Sequence, residues 1–218
     1  QTGSLILLCR IWDQYTRLIK PSRSIVLFGT EPFSSRLRLS NIDHYKYDWY
    51  WKKTRPGGFV NAKLKPLKDI ETISVFSSGS TANGAYSNML YIPQGTIECN
   101  SIWKRKNANK LTTEVSPTTK SFLKERVITH SGYPRQILEF SNSNRIVLHP
   151  TQKPVELMEY LIKTYSNKND VVLDNTMGSG TTGVASMNLR RKFIGMELDT
   201  KYFEIAETRI KQAYESQK

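Results

Sequence analysis

Residues 171–199, VVLDNTMGSGTTGVASMNLRRKFIGMELD, constrain the fold more than any other stretch of this chain. A short β-branched run, Val171-Val172-Leu173, ends on an acid, Asp174. A glycine-rich bend, Gly178-Ser179-Gly180, follows. Two threonines suited to a helix start then lead into a helix of small residues. A second apolar run, Phe193 to Met196, closes on another acid, Glu197. Strand, glycine turn, helix and strand with an acid at its tip is an arrangement suited to a nucleoside-bearing ligand. Glycines let the backbone approach the ligand, amides at the helix N-terminus face it, and the second acid can accept both ribose hydroxyls.

The rest of the chain keeps the rhythm of alternating helix and strand. Ile11, Tyr15, Leu18 and Ile19 fall at helical spacing, and Pro21-Ser22 ends that helix, whereas residues 1–10 give no clear signal. Ser24–Phe28 reads as a buried parallel-type strand ended by Gly29, and Pro32–Leu39 as a further helix. In YKYDWYW (45–51), Tyr45, Tyr47, Trp49 and Trp51 share one face of a strand, more often a core face than a base-stacking one. Residues 52–68 carry Lys52, Lys53, Arg55, Lys63, Lys65 and Lys68 around Pro56-Gly57-Gly58, which reads as a mobile basic loop able to contact phosphates. Glu71–Ser77 is again strand. Residues 78–148 are rich in Ser, Thr and Asn, carry the basic cluster Lys104-Arg105-Lys106, and read as an irregular insertion. Pro154 opens a helix with Val155, Met158, Leu161, Ile162 and Tyr165 as its apolar stripe. Tyr202–Ala213 forms the last amphipathic helix.

The formal net charge is +13, and it is unevenly placed. The excess is +7 over residues 1–78, +5 over 79–148 and only +1 over 149–218. Basic charge beside a neutral glycine-turn region suggests a footprint for a polyanion. Cys9 and Cys99 provide neither a disulfide framework nor zinc-ligand spacing, and His44, His130 and His149 are isolated, so no metal site is expected. The apolar run Leu5–Cys9 is too short to span a bilayer and lacks a signal-peptide layout, so no membrane is expected and a reducing, cytoplasmic compartment is. The first methionine is Met89, which leads to the expectation that the chain was trimmed or begins partway into a gene.

Residues 178–183, GSGTTG, also match the dinucleotide-binding pattern G-x-G-x-x-G. Four residues, Asp174 to Met177, separate the apolar strand run from the first glycine, and only 35 residues follow Gly183, too few for a complete second nucleotide-binding half. An acid closing the first strand instead fits a ligand with a cationic amino group, which S-adenosylmethionine has and NAD lacks.

HPTQKPVELM (149–158), VVLDNTMGSGTTGVA (171–185) and FIGMELDTKYF (193–203), in that order and spacing, resemble the β-class amino methyltransferases of DNA. The likeness continues more loosely through SIVLFGTEPFSS (24–35), YKYDWYWKK (45–53), GFVNAKLKPL (58–67) and ETISVF (71–76). It implies methylation of adenine N6 or cytosine N4 in double-stranded DNA, as in restriction–modification, with S-adenosylmethionine as cofactor; a homodimer is compatible with it. The implied fold is a Rossmann-like class I methyltransferase α/β fold, a mostly parallel sheet flanked by helices. In this permuted order, residues 11–78 belong to a catalytic half truncated at its N-terminus, 79–148 occupy the place of target recognition, and 149–218 bind the cofactor. Asp174, Thr176, Met177, Gly178, Gly180 and Thr181 then line the cofactor, Glu197 holds its ribose, and Thr151 and Lys153 seat the methionine carboxylate region. Lys52, Lys53, Arg55, Lys63, Lys65, Lys104, Arg105 and Lys106 become candidate DNA contacts.

Three departures accompany the resemblance. Asn175 and Thr176 stand where the family often has Pro and Phe, and Ser22-Arg23 replaces a usual turn glycine. The third is larger: the family signature, Asp, Asn or Ser followed by Pro-Pro-Tyr or Pro-Pro-Phe, is nowhere in this sequence. Its polar side chain and carbonyl accept hydrogen bonds from the target amine, and its ring stacks on the flipped base. No catalytic residue is therefore assigned. The chain as given is expected to transfer little or no methyl, and the alternative role is a non-catalytic module binding S-adenosylmethionine and DNA.

Overall fold

The structure, a computed structural model, describes residues 2–104, 125–142 and 148–217. In chain order the elements are α1 (Thr2–Leu18), β1 (Ser24–Gly29), α2 (Phe33–Leu39), β2 (Tyr45–Gly57), β3 (Lys68–Ser77), β4 (Ile97–Lys104), β5 (Glu125–Ser131), β6 (Ile137–Phe140), α3 (Val155–Tyr165), β7 (Val171–Asp174), α4 (Thr181–Asn188), β8 (Lys192–Gly195) and α5 (Thr200–Glu215). They fall into two compact units, residues 1–92 with 135–218, and residues 93–134. The smaller unit contains the antiparallel pair β4–β5, running from Ile97↔Ser131 to Lys104↔Glu125 with a register shift after Glu98.

In the larger unit a four-stranded sheet has the order β1-β3-β2-β6, and β7 and β8 form a separate parallel pair. The class is α/β, but the sheet is more mixed than a mostly parallel expectation. β3 runs antiparallel to both β1 and β2, and only β2–β6 is parallel within the four strands. The connection over residues 58–67 is short and holds one 3-10 turn, Phe59–Asn61, so β3 folds straight back on β2. A parallel return would need a longer crossover.

Alternation along β3 divides the core. Ile73 and Val75, both 0% exposed, pack with Trp49, Trp51, Leu138, Leu157, Leu161 and Tyr165 beneath α3. Phe76 points the other way, onto Trp12 of α1 and Leu37 of α2. The aromatic run of β2 serves this core. A register shift between Tyr45 and Tyr47 turns Tyr45 to the Phe76 side, with ring centroids 5.8 Å apart, whereas Tyr47, Trp49 and Trp51 stay beneath α3. Trp49 Nε1 donates to the Tyr165 hydroxyl at 2.6 Å and Trp51 Nε1 to the Phe140 carbonyl at 2.9 Å, so the buried ring nitrogens are satisfied. Burial raises the Tyr47 phenol to about 12, so it stays a neutral partner at 3.0 Å from the Tyr165 hydroxyl. On the opposite face Asp48, 4% exposed, accepts from Ser74 Oγ at 2.7 Å and pairs with Arg38 at 2.8 Å.

Three segments differ from the sequence reading. Residues 78–148, read as an irregular insertion, hold β4, β5 and β6, and β6 pairs with β2 in the four-stranded sheet. α1 begins at Thr2, because an unbroken apolar run such as Leu5–Cys9 shows no period that would mark a helix. β2 continues to Gly57, so Lys52, Lys53 and Arg55 lie on a strand rather than in a loop.

Candidate functional site

The glycine turn follows β7 and is built by local bonds. The Asp174 carboxylate accepts from the Thr176 amide at 3.1 Å and from Thr182 Oγ1 at 2.6 Å, fixing the acid at the mouth of the turn. Gly178 and Gly180 have φ of 52° and 78°, the left-handed region that glycine enters freely. A Cβ on Gly180 would lie 2.8 Å from Ala206 Cβ of α5, and one on Gly178 would lie 3.2 Å from the His149 ring. The turn is therefore clamped between α5 and His149, whose ring also stands edge-on to Tyr202 at 4.4 Å. Arg209 donates to the Ser179 carbonyl and reaches Ser179 Oγ at 3.1 Å, pinning the loop from the α5 side.

Glu197, just beyond β8, closes the turn. Its Oε2 accepts from the Gly178 amide at 2.8 Å, and its Oε1 from Leu198 at 2.9 Å and Asp199 at 3.1 Å. Hydrogen bonds from the amides of Asp199, Gly178 and Leu198 hold the carboxyl below the usual carboxylate range. These bonds use three of the roughly four acceptor positions of a carboxylate. Accepting two further hydroxyls would require the Gly178 amide to be shared or released.

The turn opens onto a cavity of about 850 Å³ that also runs along β1 and β7, between Ile11 and Leu18 on one side and Met158 and Ile162 on the other, so only part of that volume lies over the turn. Seven of the nine residues expected at the cofactor line it: Thr151 and Lys153 on one side, Asp174, Thr176, Met177, Gly178 and Thr181 on the other. Gly180 and Glu197 stand behind the lining, against Ala206 and the Gly178 amide. The arrangement offers an anionic group at Asp174, a glycine backbone that approaches closely, and the start of α4 facing the cavity.

Lys153 is also engaged elsewhere. Its Nζ lies 2.7 Å from Glu71 Oε1, and Lys53 Nζ lies 2.7 Å from Glu71 Oε2. Both ammonium groups sit over the Trp51 ring, at 5.8 and 4.9 Å. Burial pushes the Glu71 carboxyl up, but the two ammonium partners outweigh it, and the net shift is downward.

Among the candidate DNA contacts, Lys53 is thus tied to Glu71, and Lys52 pairs with Glu139 at 3.0 Å. Arg55, Lys63 and Lys65 are exposed, with Phe59, Val60 and Leu64 exposed among them. The side chains of Lys104, Arg105 and Lys106 lie outside the described residues. Sequence reasoning missed His149, Gln152, Thr182, Glu71 and Tyr15, which all line the cavity. Tyr15 donates to Asn175 Oδ1 at 3.0 Å, and Gln152 Oε1 accepts from Ser179 Oγ at 3.2 Å. The doubled threonine of GSGTTG was the one local hint of Thr182; the others depend on contacts distant in sequence. Among the described residues no group of three His, Cys, Asp or Glu could hold a metal, and no helix is long and apolar enough to cross a membrane.

A parallel β7–β8 pair carrying a glycine turn, with an acid at the end of β7 and another just beyond β8, places the site among Rossmann-like nucleoside-binding folds. Residues 5–208 match the family described as DNA methylase (N6_N4_Mtase), and the chain belongs to that family. It is 47% identical over 62 residues to the type II methyltransferase M2.LlaDCHI of Lactococcus lactis subsp. cremoris, a match covering 28% of this chain and 23% of that protein. It is 45% identical over 64 residues to type II methyltransferase M.HinfI of Haemophilus influenzae, covering 29% and 18%. The chain thus spans about a quarter or less of the curated relatives it matches. The structure of the M1.HpyAVI–SAM complex aligns over 94% of this chain and 81% of its own, with a TM-score of 0.62 and 26% identity. The cytosine-N4-specific PvuII DNA methyltransferase shares the fold with a TM-score of 0.56 at 19% identity, over 90% of this chain and 70% of its own.

Proposed function

We propose that this chain carries the S-adenosylmethionine-binding half of a DNA amino methyltransferase acting on adenine N6 or cytosine N4. The observation that carries this reading is that Thr151, Lys153, Asp174 and the glycine turn line one and the same cavity. When bound, the cofactor supplies a methyl group on a sulfonium, which the exocyclic amine of a flipped base can attack directly. The residues present fit such a ligand, because the left-handed glycines 178 and 180 keep the turn free of side chains where the backbone must approach it. Asp174 would face a cationic amino or hydroxyl group, Glu197 the ribose, and Thr151 with Lys153 the carboxylate end.

Arg55, Lys63 and Lys65 are the proposed phosphate contacts on double-stranded DNA, since their charges are exposed. Residues 79–148 are proposed to contain the target-recognition region. The motif that would hold the amine is absent from the sequence, so the second reading, a module that binds cofactor and DNA without methyl transfer, describes this chain by itself. Incubation with methyl-labelled S-adenosylmethionine and mixed-sequence DNA, followed by mass spectrometry of the nucleosides, separates the two. The expected result is N6-methyladenine and N4-methylcytosine at background; robust formation of either would show that the chain is catalytic unaided.

A further inference from the structure

The period of two along a strand separates Lys52 from Lys53. Lys52 pairs with Glu139, its neighbour in register on β6. Lys53 faces the other way and ends the row Tyr47, Trp49, Trp51 that lies beneath α3. Glu71 lies opposite Trp51 in the β2–β3 pair and opens the row Glu71, Ile73, Val75 on that same face. Lys153 reaches the same point from the residues just before α3. Each ammonium takes one oxygen of the Glu71 carboxylate, at 2.7 Å in both cases.

Glu71 with Lys153 alone would form a complete buried pair. With Lys53 the cluster holds two ammonium groups and one carboxylate, an excess of one positive charge on largely buried side chains. Among the described residues neither lysine pairs with a second carboxylate. Such an excess is costly away from water unless an anion meets it. Aromatic faces offset part of that cost: Lys53 lies 4.9 Å from the Trp51 ring, and Lys153 5.0 Å from the Phe28 ring. The two lysines differ in what else they reach. Glu71 and Lys153 line the cavity with Thr151 and Asp174, and Lys53 stands behind them. The excess charge is therefore offered to a ligand through Lys153, whose ammonium has three donors, one of them engaged by Glu71.

We propose that Lys53 is a positioning residue of the cofactor site: it neutralises Glu71, so that the charge of Lys153 stays free for a carboxylate in the cavity. Without Lys53, Glu71 would have Lys153 as its one partner, and the pair would present no net charge. The carboxylate is that of the ligand's amino-acid end, so the inference rests on the S-adenosylmethionine reading of this cavity. It takes Lys53 out of the DNA contacts, where Arg55, Lys63 and Lys65 remain.

Calorimetry on the folded chain with two ligands tests it. One is S-adenosylhomocysteine; the other is 5′-methylthioadenosine, which keeps the nucleoside and thioether but lacks the amino-acid end. Lys53→Met keeps an unbranched side chain over Trp51 and leaves Glu71 its ion pair with Lys153. It should weaken S-adenosylhomocysteine on the order of tenfold, the scale of one partly screened charge, and leave 5′-methylthioadenosine unchanged. Lys53→Arg, which retains the charge, should bind S-adenosylhomocysteine as wild type does. Adding Glu71→Gln to Lys53→Met should also recover affinity, because no carboxylate then neutralises Lys153. A purely structural role for Lys53 predicts a further loss instead, and the arginine variant decides alone if the double variant does not fold. If Lys53→Met weakens both ligands alike, or neither, or if Lys53→Arg is as weak as Lys53→Met, the proposal fails while the cofactor reading stands. If wild type binds neither ligand, the two fall together.

Discussion

Gly180→Ala is expected to destabilise the chain by about 3 kcal/mol and to remove cofactor binding. The left-handed conformation at φ 78° costs a residue with a Cβ about 1 kcal/mol. Overpacking adds about 1–3 kcal/mol, because the new methyl would sit 2.8 Å from Ala206 Cβ and 2.9 Å from Ala206 Cα, on a residue that is fully buried. Neither contact can yield, since Ala206 has no flexible end to move. Either α5 or the glycine turn must shift, and the turn carries Gly178, whose amide Glu197 holds. Gly58→Ala is the matched control: its φ is 91°, but nothing lies within 4 Å of the added Cβ. Only the conformational cost of about 1 kcal/mol applies there. Thermal melts of the two variants should therefore separate by several degrees. Equal losses would mean that α5 does not press on the turn.

Glu71→Gln is expected to cost about 3 kcal/mol, measured by urea unfolding at neutral pH. Glu71 is 8% exposed and is the shared counter-charge of Lys53 and Lys153, each at 2.7 Å. The amide would leave two largely buried ammonium groups facing each other without an anion, the costly way to break a buried ion pair. The pH dependence gives a second readout. The folded-state pKa of Glu71 is depressed, so its contribution is complete above the unfolded value near ~4.3 and disappears as pH falls through the lower folded value. The stability gap between wild type and Glu71→Gln should thus be constant from neutral pH down to about 5 and shrink below about 4. A gap independent of pH throughout would show that the carboxylate is not ionised in this cluster.

The parts of the fold written in short stretches of sequence were legible. β1, β7 and the glycine turn each declare themselves within a few residues, since a β-branched run and a left-handed glycine act locally. Glu71 was not legible as a site residue, because nothing near it in ETISVF indicates that Lys53 and Lys153 converge on it from other elements. Lys153 read as a cofactor ligand and Lys53 as a phosphate contact for the same reason: sequence shows a charge but not its partner. His149 looked isolated, yet its ring lies against Gly178 and Tyr202, contacts made only by folding. The strands β4, β5 and β6 fall in a Ser-, Thr- and Asn-rich region with no alternating pattern. Their conformation is set by pairing, not by propensity. The direction of β3 came from the shortness of the 58–67 connection.

Calorimetric titration of the folded chain with S-adenosylhomocysteine tests the turn between Asp174 and Glu197 most directly. Wild type should bind one molecule per chain, and Asp174→Ala and Glu197→Ala should each weaken binding on the order of tenfold or more, the worth of a charge-assisted hydrogen bond. A folded chain that does not bind, or binds equally well in both variants, would contradict the assignment.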